Sequence, residues 1–309
     1  MNVAIVVPIL NEAESLPQLL EAIKRQTLRP RELIFVDAGS TDGSPDLIRG
    51  WWQTHGWEYC VCDVLSLPGG MPGGGRNAGI RAATSDWIAF LDGGIEPEPD
   101  WLQQLTLYAA QHRTQSVFGV CRFEAEAPFE RAVCALSYGY ESIHPVIPAS
   151  LFHREVFERI GCFPDNLRAA EDLVWVGRYL RHYGTRLVCK AALVHYRHFP
   201  TTWTAAIRKW HINEIYSVMA GVRARQHLLY LTVFPVLYTM TFLYPVAGIP
   251  LFAAYVCIRG VIDPMRRSKK RLWWWTCPLA FLQAIGLAVL LDLAKLSGIV
   301  RQQLKKSLS

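Results

Sequence analysis

Four acidic residues stand at three places where apolar runs end or a helix begins. Asp37 closes ELIFVD and opens AGSTDGS, Asp92 closes WIAFLD and is followed by Gly93 and Gly94, and Glu171 with Asp172 opens AEDLVWVGRYL. A carboxylate just past a buried strand can accept hydrogen bonds from a nucleobase or a ribose, or can simply start a turn, since Asp, Gly and Ser are turn residues. A helix N-terminus favours an ionised carboxylate, which can cap the helix or take a proton from a hydroxyl. Arg76, in GGGRNAGI, stands at a helix start where its charge and the backbone N–H groups would neutralise a phosphate. His195, at the end of an apolar run, suits a metal ligand or a hydrogen-bonded core histidine. Gly73-x-Gly75-x-x-Ala78 imitates a dinucleotide-binding fingerprint, with Asp92 at about the right distance onward. Its loop lies several residues past the strand, however, and not in the first strand–helix unit.

These residues need a scaffold. VAIVV (3–7) is an unbroken apolar run, as in a strand buried on both faces of a parallel sheet. NEAESLPQLLEAIKRQ places Leu16, Leu19, Leu20 and Ile23 at helical spacing. ELIFVD (32–37) and EYCVCDV (58–64) read as the second and third strands, the latter with Cys60 and Cys62 on one face. SPDLIRGWWQTHG reads as a helix between them, and GRNAGIRAAT as a short helix leading into WIAFLD. This alternation predicts an open, mostly parallel sheet flanked by helices, with ligands beyond the carboxyl ends of its strands. Asp37 and Asp92 fall on that edge. Further on, SVFGVCRF, PASLFHR, TRLVCK and ALVHYRH read as strands, and REVFERIG and AEDLVWVGRYLRHYG as helices closed by Gly161 and Gly184.

With 51% hydrophobic and 19% charged residues the chain is more apolar than a soluble domain, and the excess lies after residue 226. Residues 201–226 read as an amphipathic helix at a membrane interface, with Trp203, Ile207, Trp210, Val218 and Val222 on one side and Glu214 interrupting it. Leu228 to Ile258 is 31 positions without a charge, against roughly 20 for one span. Pro235, Pro245 and Pro250 make it a broken helix or a hairpin, and a second apolar stretch runs from Leu272 to Leu291. The expected organisation is a catalytic-type α/β domain over 1–200, an interface helix over 201–226, two to three membrane helices over 227–294 and a basic tail over 295–309. Much of the net charge of +6 flanks the apolar segments, which suits a membrane surface rather than nucleic acid. A hairpin plus one span would place the basic loop 259–271 in the cytoplasm and the tail opposite. The first strand starts at Val3, so no signal peptide is read and the N-terminal domain is expected on the cytoplasmic side. Eight cysteines without a Cys-x-x-Cys pair read as reduced and buried.

In their order, five stretches resemble the family-2 glycosyltransferases, which have the GT-A fold. They are VVPILNEAESLPQLLEAIKRQ, ELIFVDAGSTDGSPDLI, GGGRNAGIRAATSDWIAFLDGG, LFHREVFERIGCF and AEDLVWVGRYLRHYG, and the resemblance covers about residues 3–210. It implies an enzyme that moves a sugar from a nucleotide-sugar donor to an acceptor hydroxyl with inversion at the anomeric carbon. It further implies that Pro8, Asn11 and Glu12 line the donor pocket, that Asp37 contacts the base, and that Arg76 lies near the ribose and diphosphate. By the same resemblance Asp92 is the first acid of an Asp-x-Asp motif, Asp172 is the general base, and His195 approaches a metal. Such a transfer needs a base on the acceptor side and charge neutralisation on the departing diphosphate, roughly in line.

The chain departs from this pattern at two points. Gly94 stands where the motif's last acid would be, and Ala38 replaces a frequent second acid after Asp37. Two ways of neutralising the diphosphate stay open. A divalent cation, Mg²⁺ or Mn²⁺, would be held by Asp92, His195 and the diphosphate itself, or Arg76 with Arg208 or Lys209 would act without metal. AIRKW (206–210) has Ala206 and Lys209 where polymer-extending members carry Gln and Arg. The expectation is therefore a single transfer, from a UDP-sugar by preference, to a lipid or lipid-linked acceptor at the membrane surface. A saccharide acceptor with the membrane part as anchor, a nucleotide-sugar-binding protein without transfer activity, and a dehydrogenase using the glycine-rich loop are the rivals.

Overall fold

The apolar run that opens the chain becomes the strand about which a mixed sheet is built. In the computed structural model, which describes residues 1–273 and 275–307, the chain divides into two units: Met1–Arg122 with Ile143–Arg197, and Phe123–Ser142 with the residues from His198 onward. The first unit runs β1 (Val3–Ile9), α1 (Leu16–Lys24), β2 (Glu32–Asp37), α2 (Ser44–His55), β3 (Val61–Ser66), α3 (Pro72–Ala82), β4 (Trp87–Phe90), β5 (Ile95–Pro97), α4 (Trp101–His112) and β6 (Ser116–Phe123). After α5 (Pro128–Ser137), which belongs to the second unit, it resumes with β7 (Ile143–Pro145), β8 (Leu151–His153), α6 (Arg154–Ile160), α7 (Glu171–Tyr183) and β9 (Val188–Tyr196).

The strand order is β3-β2-β1-β4-β8-β6-β9-β5, with β7 beside β6. Strands β3, β2, β1 and β4 pair in parallel, and β8 joins β4 antiparallel. This is the open, helix-flanked GT-A type of sheet that the resemblance implies. Ile9, Asp37 and Asp92 lie together at the carboxyl edge of its parallel part. Behind that edge Phe90, Phe152, Phe157, Phe163 and Trp175 form an aromatic core, with the rings of Phe163 and Trp175 stacked at 4.9 Å. Each such side chain, once buried, contributes roughly 1.5–3 kcal/mol. Trp175 also donates its ring N–H to the carbonyl of Gly161 at 2.9 Å, which ties α7 to the end of α6.

Several local expectations change. β3 begins at Val61, so Cys60 precedes the strand and the two cysteines do not share a strand face. Burial pushes both thiols up to about 12. TRLVCK and ALVHYRH are one strand, β9, because no turn residue divides them. α3 starts at Pro72 rather than near Gly75, since proline at a first helical position is already set at a helical φ. Strands β5 and β7 have three residues each, too short for a periodic signal.

The second unit consists of α5 with α8 (Trp203–Met219), α9 (Ala224–Leu243), α10 (Pro245–Cys257), a π turn (Ile258–Ile262), α11 (Asp263–Arg267) and α12 (Pro278–Ser307). Three stretches, Ala224–Leu243, Pro245–Arg267 and Pro278–Ser307, are long and apolar enough to cross a membrane. The long uncharged segment is a hairpin that breaks at Tyr244, before Pro245. Gly248 makes it tight, because a Cβ there would lie 2.3 Å from the Met240 carbonyl oxygen. α8 stops at Met219, short of residue 226, and the residues expected on a membrane-facing side, Trp210 and Val218, are buried. Gly298 of α12 sits against the His211 carbonyl of α8, and the His211 ring meets the Ser297 hydroxyl at 2.7 Å.

The separate basic tail is not present as such, because α12 continues to Ser307. Lys295 is buried, 3.0 Å from Asp292. Arg259, expected in a cytoplasmic loop, lies inside the π turn and donates to both oxygens of Asp292 at 2.7 and 2.8 Å. Tyr230 and Tyr255 donate to the same carboxylate at 3.0 and 2.8 Å. Glu214, the residue that interrupts the apolar side of α8, is likewise buried and lies 3.1 Å from His227.

Candidate active site

At the carboxyl edge of β1, β2 and β4 lies a cavity of about 310 Å³. Pro8 and Glu12 reach it from the end of β1, Ala38 from β2, Arg76 from α3, Asp92 from β4 and Glu171 from α7.

Arg76 is the centre of this arrangement. Its side chain is 3% exposed, and the guanidinium donates to Glu171 Oε1 at 2.7 Å and to Asp92 Oδ1 at 2.8 Å. The Phe163 ring lies 5.6 Å from its carbon, and its Nε is buried without a partner. Burial works against the charge, but Asp92 and Glu171 outweigh it and raise the pKa of Arg76 above its ordinary value. Burial also pushes the Glu171 carboxyl up; Arg76 pulls it back, and the neighbouring Asp172 charge pushes it further.

The glycines around Arg76 act through close approach. A Cβ on Gly73 would meet the Pro164 carbonyl oxygen at 2.0 Å, one on Gly75 the Pro8 Cβ at 2.9 Å, and one on Gly79 the Val6 Cγ1 at 2.3 Å. The dinucleotide look-alike is therefore a helix packed hard against β1 and the loop before α7, with its glycines inside the helix and not in a phosphate-binding loop. Asn77 pins the same loop, exchanging hydrogen bonds with the Phe163 backbone at 2.8 and 3.0 Å.

Asp92 both starts a turn and faces the cavity. Its carbonyl accepts from the Ile95 N–H at 3.1 Å, while its half-exposed carboxylate gives Oδ1 to Arg76. Gly93 is required because Glu12 crosses the turn, its Cγ only 2.7 Å from where a Cβ would stand. Asn11 adopts φ 56°, a left-handed conformation that asparagine tolerates, and its Oδ1 accepts from the Thr41 N–H at 2.8 Å. Asn11 thus ties the β1 loop to the β2 loop and does not line the cavity. Asp37 lines a neighbouring hollow with Ser40, Arg49 and Ser66, and accepts from the Ser40 N–H at 3.0 Å.

Asp172 directs Oδ1 to the Leu173 N–H at 2.8 Å and stands next to Glu171, outside the residues that line the cavity. His195 pairs with Glu98 at 2.7 Å on the β5–β9 ladder and is not brought to Asp92's cavity. Among the described residues no three His, Cys, Asp or Glu side chains converge on a metal position. Asp92 Oδ1 and Glu171 Oε1 are engaged by Arg76 and Glu12 Oε2 by Ser15, so the described residues do not make a preformed site for a resident metal. Glu171, singled out with Asp172 as a capping or proton-accepting acid, instead holds Arg76; Arg168, which the sequence reading did not single out, lines the cavity from an irregular segment with no motif to mark it.

Comparison with known proteins agrees with this geometry. The model for glycosyl transferase family 2 matches residues 4–161, about half of the chain, and the chain belongs to that family. The undecaprenyl-phosphate 4-deoxy-4-formamido-L-arabinose transferase of Pectobacterium carotovorum is 34% identical over 113 residues, covering 36% of this chain and 34% of that protein. The chain spans between about a third and three fifths of the length of the curated relatives it matches. Among solved structures, the mannosyltransferase PcManGT from Pyrobaculum calidifontis, in complex with GDP-Man and Mn²⁺, aligns with a TM-score of 0.57 at 18% identity, covering 93% of this chain and 87% of that one. S. aureus TarS in complex with UDP-GlcNAc aligns with a TM-score of 0.51 at 14% identity, covering 98% and 92%. At these identities the likeness is one of fold.

Proposed function

We propose that this chain is an inverting glycosyltransferase that moves a sugar from a nucleotide-sugar, a UDP-sugar by preference, to a hydroxyl of a lipid or lipid-linked acceptor at a membrane surface. The observation that carries this reading is the cavity at the carboxyl edge of the parallel strands, where Arg76 stands between Asp92 and Glu171. Ligands of open α/β sheets bind at that edge. Pro8, Glu12 and Ala38 would border the donor, Asp37 would reach its base from the adjoining hollow, and Asn11 would hold the two loops in register. Three apolar helices and the undecaprenyl-phosphate named for the bacterial relative support a lipid acceptor. The basic loop 259–271 and the net positive charge near the apolar segments favour the sheet unit on the cytoplasmic side.

In the transfer, the acceptor oxygen attacks the anomeric carbon while the bond to the diphosphate breaks, and its electron pair stays on the diphosphate. Asp172 takes the hydroxyl proton, and Glu171 keeps Arg76 in place beside Asp92. A divalent cation carried in with the donor would meet Asp92 Oδ2, and no step is assigned to it.

Two experiments test the reading. A screen of UDP- and GDP-sugars against a lipid extract, with products identified by mass, is expected to yield one glycolipid. Asp172→Asn is expected to lower kcat by about 10²–10⁴, the usual contribution of a general base, with unchanged thermal unfolding. Undiminished turnover in that variant would remove Asp172 as the base, and donor binding without any product would favour a binding protein.

A further inference from the structure

The cavity holds a second arginine whose situation is opposite to that of Arg76. Arg168 is exposed, lines the same cavity, and has neither a hydrogen bond nor an ion pair among the described residues. The segment that carries it is nonetheless fixed at its start, where Asn77 bonds the Phe163 backbone and Gly73 packs on Pro164.

The charges around the cavity make this residue matter. Glu12, Asp92 and Glu171 bring three negative charges, and Arg76 and Arg168 two positive ones. Arg76 is already divided between Asp92 and Glu171. A donor diphosphate adds negative charge to a site that is negative before it arrives, and Gly94 supplies no acid with which to recruit a metal. Among the described residues the uncommitted cation lining this cavity is Arg168, and a guanidinium matches phosphate oxygens with two parallel N–H donors.

We propose that Arg168 binds the distal phosphate of the nucleoside diphosphate and neutralises it as it leaves, without a divalent cation. The proposal rests on the glycosyltransferase reading and adds the group that receives the leaving charge. When the bond between the anomeric carbon and the phosphate oxygen breaks, its electron pair stays on that oxygen. Arg168 hydrogen-bonds there and gives up no proton.

The test is calorimetric titration of the full-length protein in detergent micelles with EDTA, comparing UDP with UMP and GDP with GMP. The wild type is expected to bind one diphosphate well above its monophosphate. Arg168→Ala should weaken diphosphate binding about 10- to 100-fold, as for a lost charge-assisted hydrogen bond. Monophosphate binding and thermal unfolding should hold, because the side chain is exposed and makes no hydrogen bond or ion pair among the described residues, and Arg168→Lys should recover part of the loss. Equal diphosphate preference in wild type and Arg168→Ala overturns the proposal and leaves the transferase reading standing. So does a preference that appears only when Mg²⁺ or Mn²⁺ is added. Failure of the wild type to bind any of the four nucleotides sinks both.

Discussion

Arg76 in the sheet unit and Asp292 in the helical unit are both buried ions, 3% and 1% exposed, and each is held by charges of opposite sign. Their surroundings differ in what is left over. Asp292 accepts from Tyr230, Tyr255, Lys295 and twice from Arg259, so both of its oxygens are fully engaged. It borders a cavity of about 590 Å³, but one walled chiefly by apolar side chains of α9 and α10. Arg76 keeps its Nε unpartnered, and Asp92, on its other side, is half-exposed with one oxygen uncommitted. A saturated ion cluster joins helices; an unsaturated one beside a polar cavity has capacity left for a ligand. By that criterion the Arg76 side is where a ligand could still be received, and Asp292 fastens α9, α12 and the π turn together.

The contrast is broken most severely at Asp292. Asp292→Ala leaves Lys295 buried without its counter-ion and Arg259 with Asp263 alone, and removing one partner of a buried pair costs about 3–5 kcal/mol. Unfolding in detergent micelles should show that loss, while the molecules that remain folded bind nucleotide as before. A loss well under about 1 kcal/mol would mean that the cluster does not hold the helices.

Arg76→Met should act on both properties at once. Glu171 would be left buried without its partner, at about 1–3 kcal/mol or somewhat more for a charged group, and diphosphate affinity should fall as well. Arg76→Lys should rescue little, since an ammonium cannot reproduce the planar fork that reaches two carboxylates. Stability lost with affinity intact would make Arg76 another structural ion, like Asp292, and erase the distinction.

The parts of this arrangement were unequally legible in the sequence. Periodicity located β1, β2, α6 and α7, because buried strands and capped helices leave local patterns, and it located the apolar segments. Asp92 could be placed at a ligand edge because it follows β4. That Arg76 would reach Glu171, 95 residues away, was not legible, since no local pattern encodes a contact made by folding. For the same reason Arg259 and Lys295 read as surface cations. His195 was open between a metal ligand and a hydrogen-bonded core histidine, and the metal role came from the resemblance; its partner Glu98 follows a three-residue strand that periodicity does not detect. The glycines of α3 imitate a phosphate loop by spacing, a reading their position already weakened; that they mark points where the helix touches its neighbours was not legible. Gly79→Ala sharpens this point: the new Cβ collides with Val6, and overpacking of that sort costs about 1–3 kcal/mol, measurable in the same unfolding assay.

The smallest effect separates two carboxylates within the sheet unit. Burial raises the Glu171 carboxyl above the ordinary 4.5, whereas Glu32 is lowered from 4.5, because hydrogen bonds from Ser85 and Thr84 outweigh its burial. The folded protein therefore keeps a proton on Glu171 at a pH where the unfolded chain has released it. The stability from that proton is full below pH 4.5 and is lost as pH rises through the folded value, by about 1.4 kcal/mol for each unit of displacement. Glu32 has the opposite sign: its contribution is present above pH 4.5 and is lost as pH falls through its lowered value. Glu171→Gln should remove the decline just above pH 4.5 and leave the acid-side loss, and Glu32→Gln should do the reverse. If Glu171→Gln leaves the stability–pH curve unchanged, Glu171 is ionised alike in the folded and unfolded chain, and Arg76 fully offsets its burial.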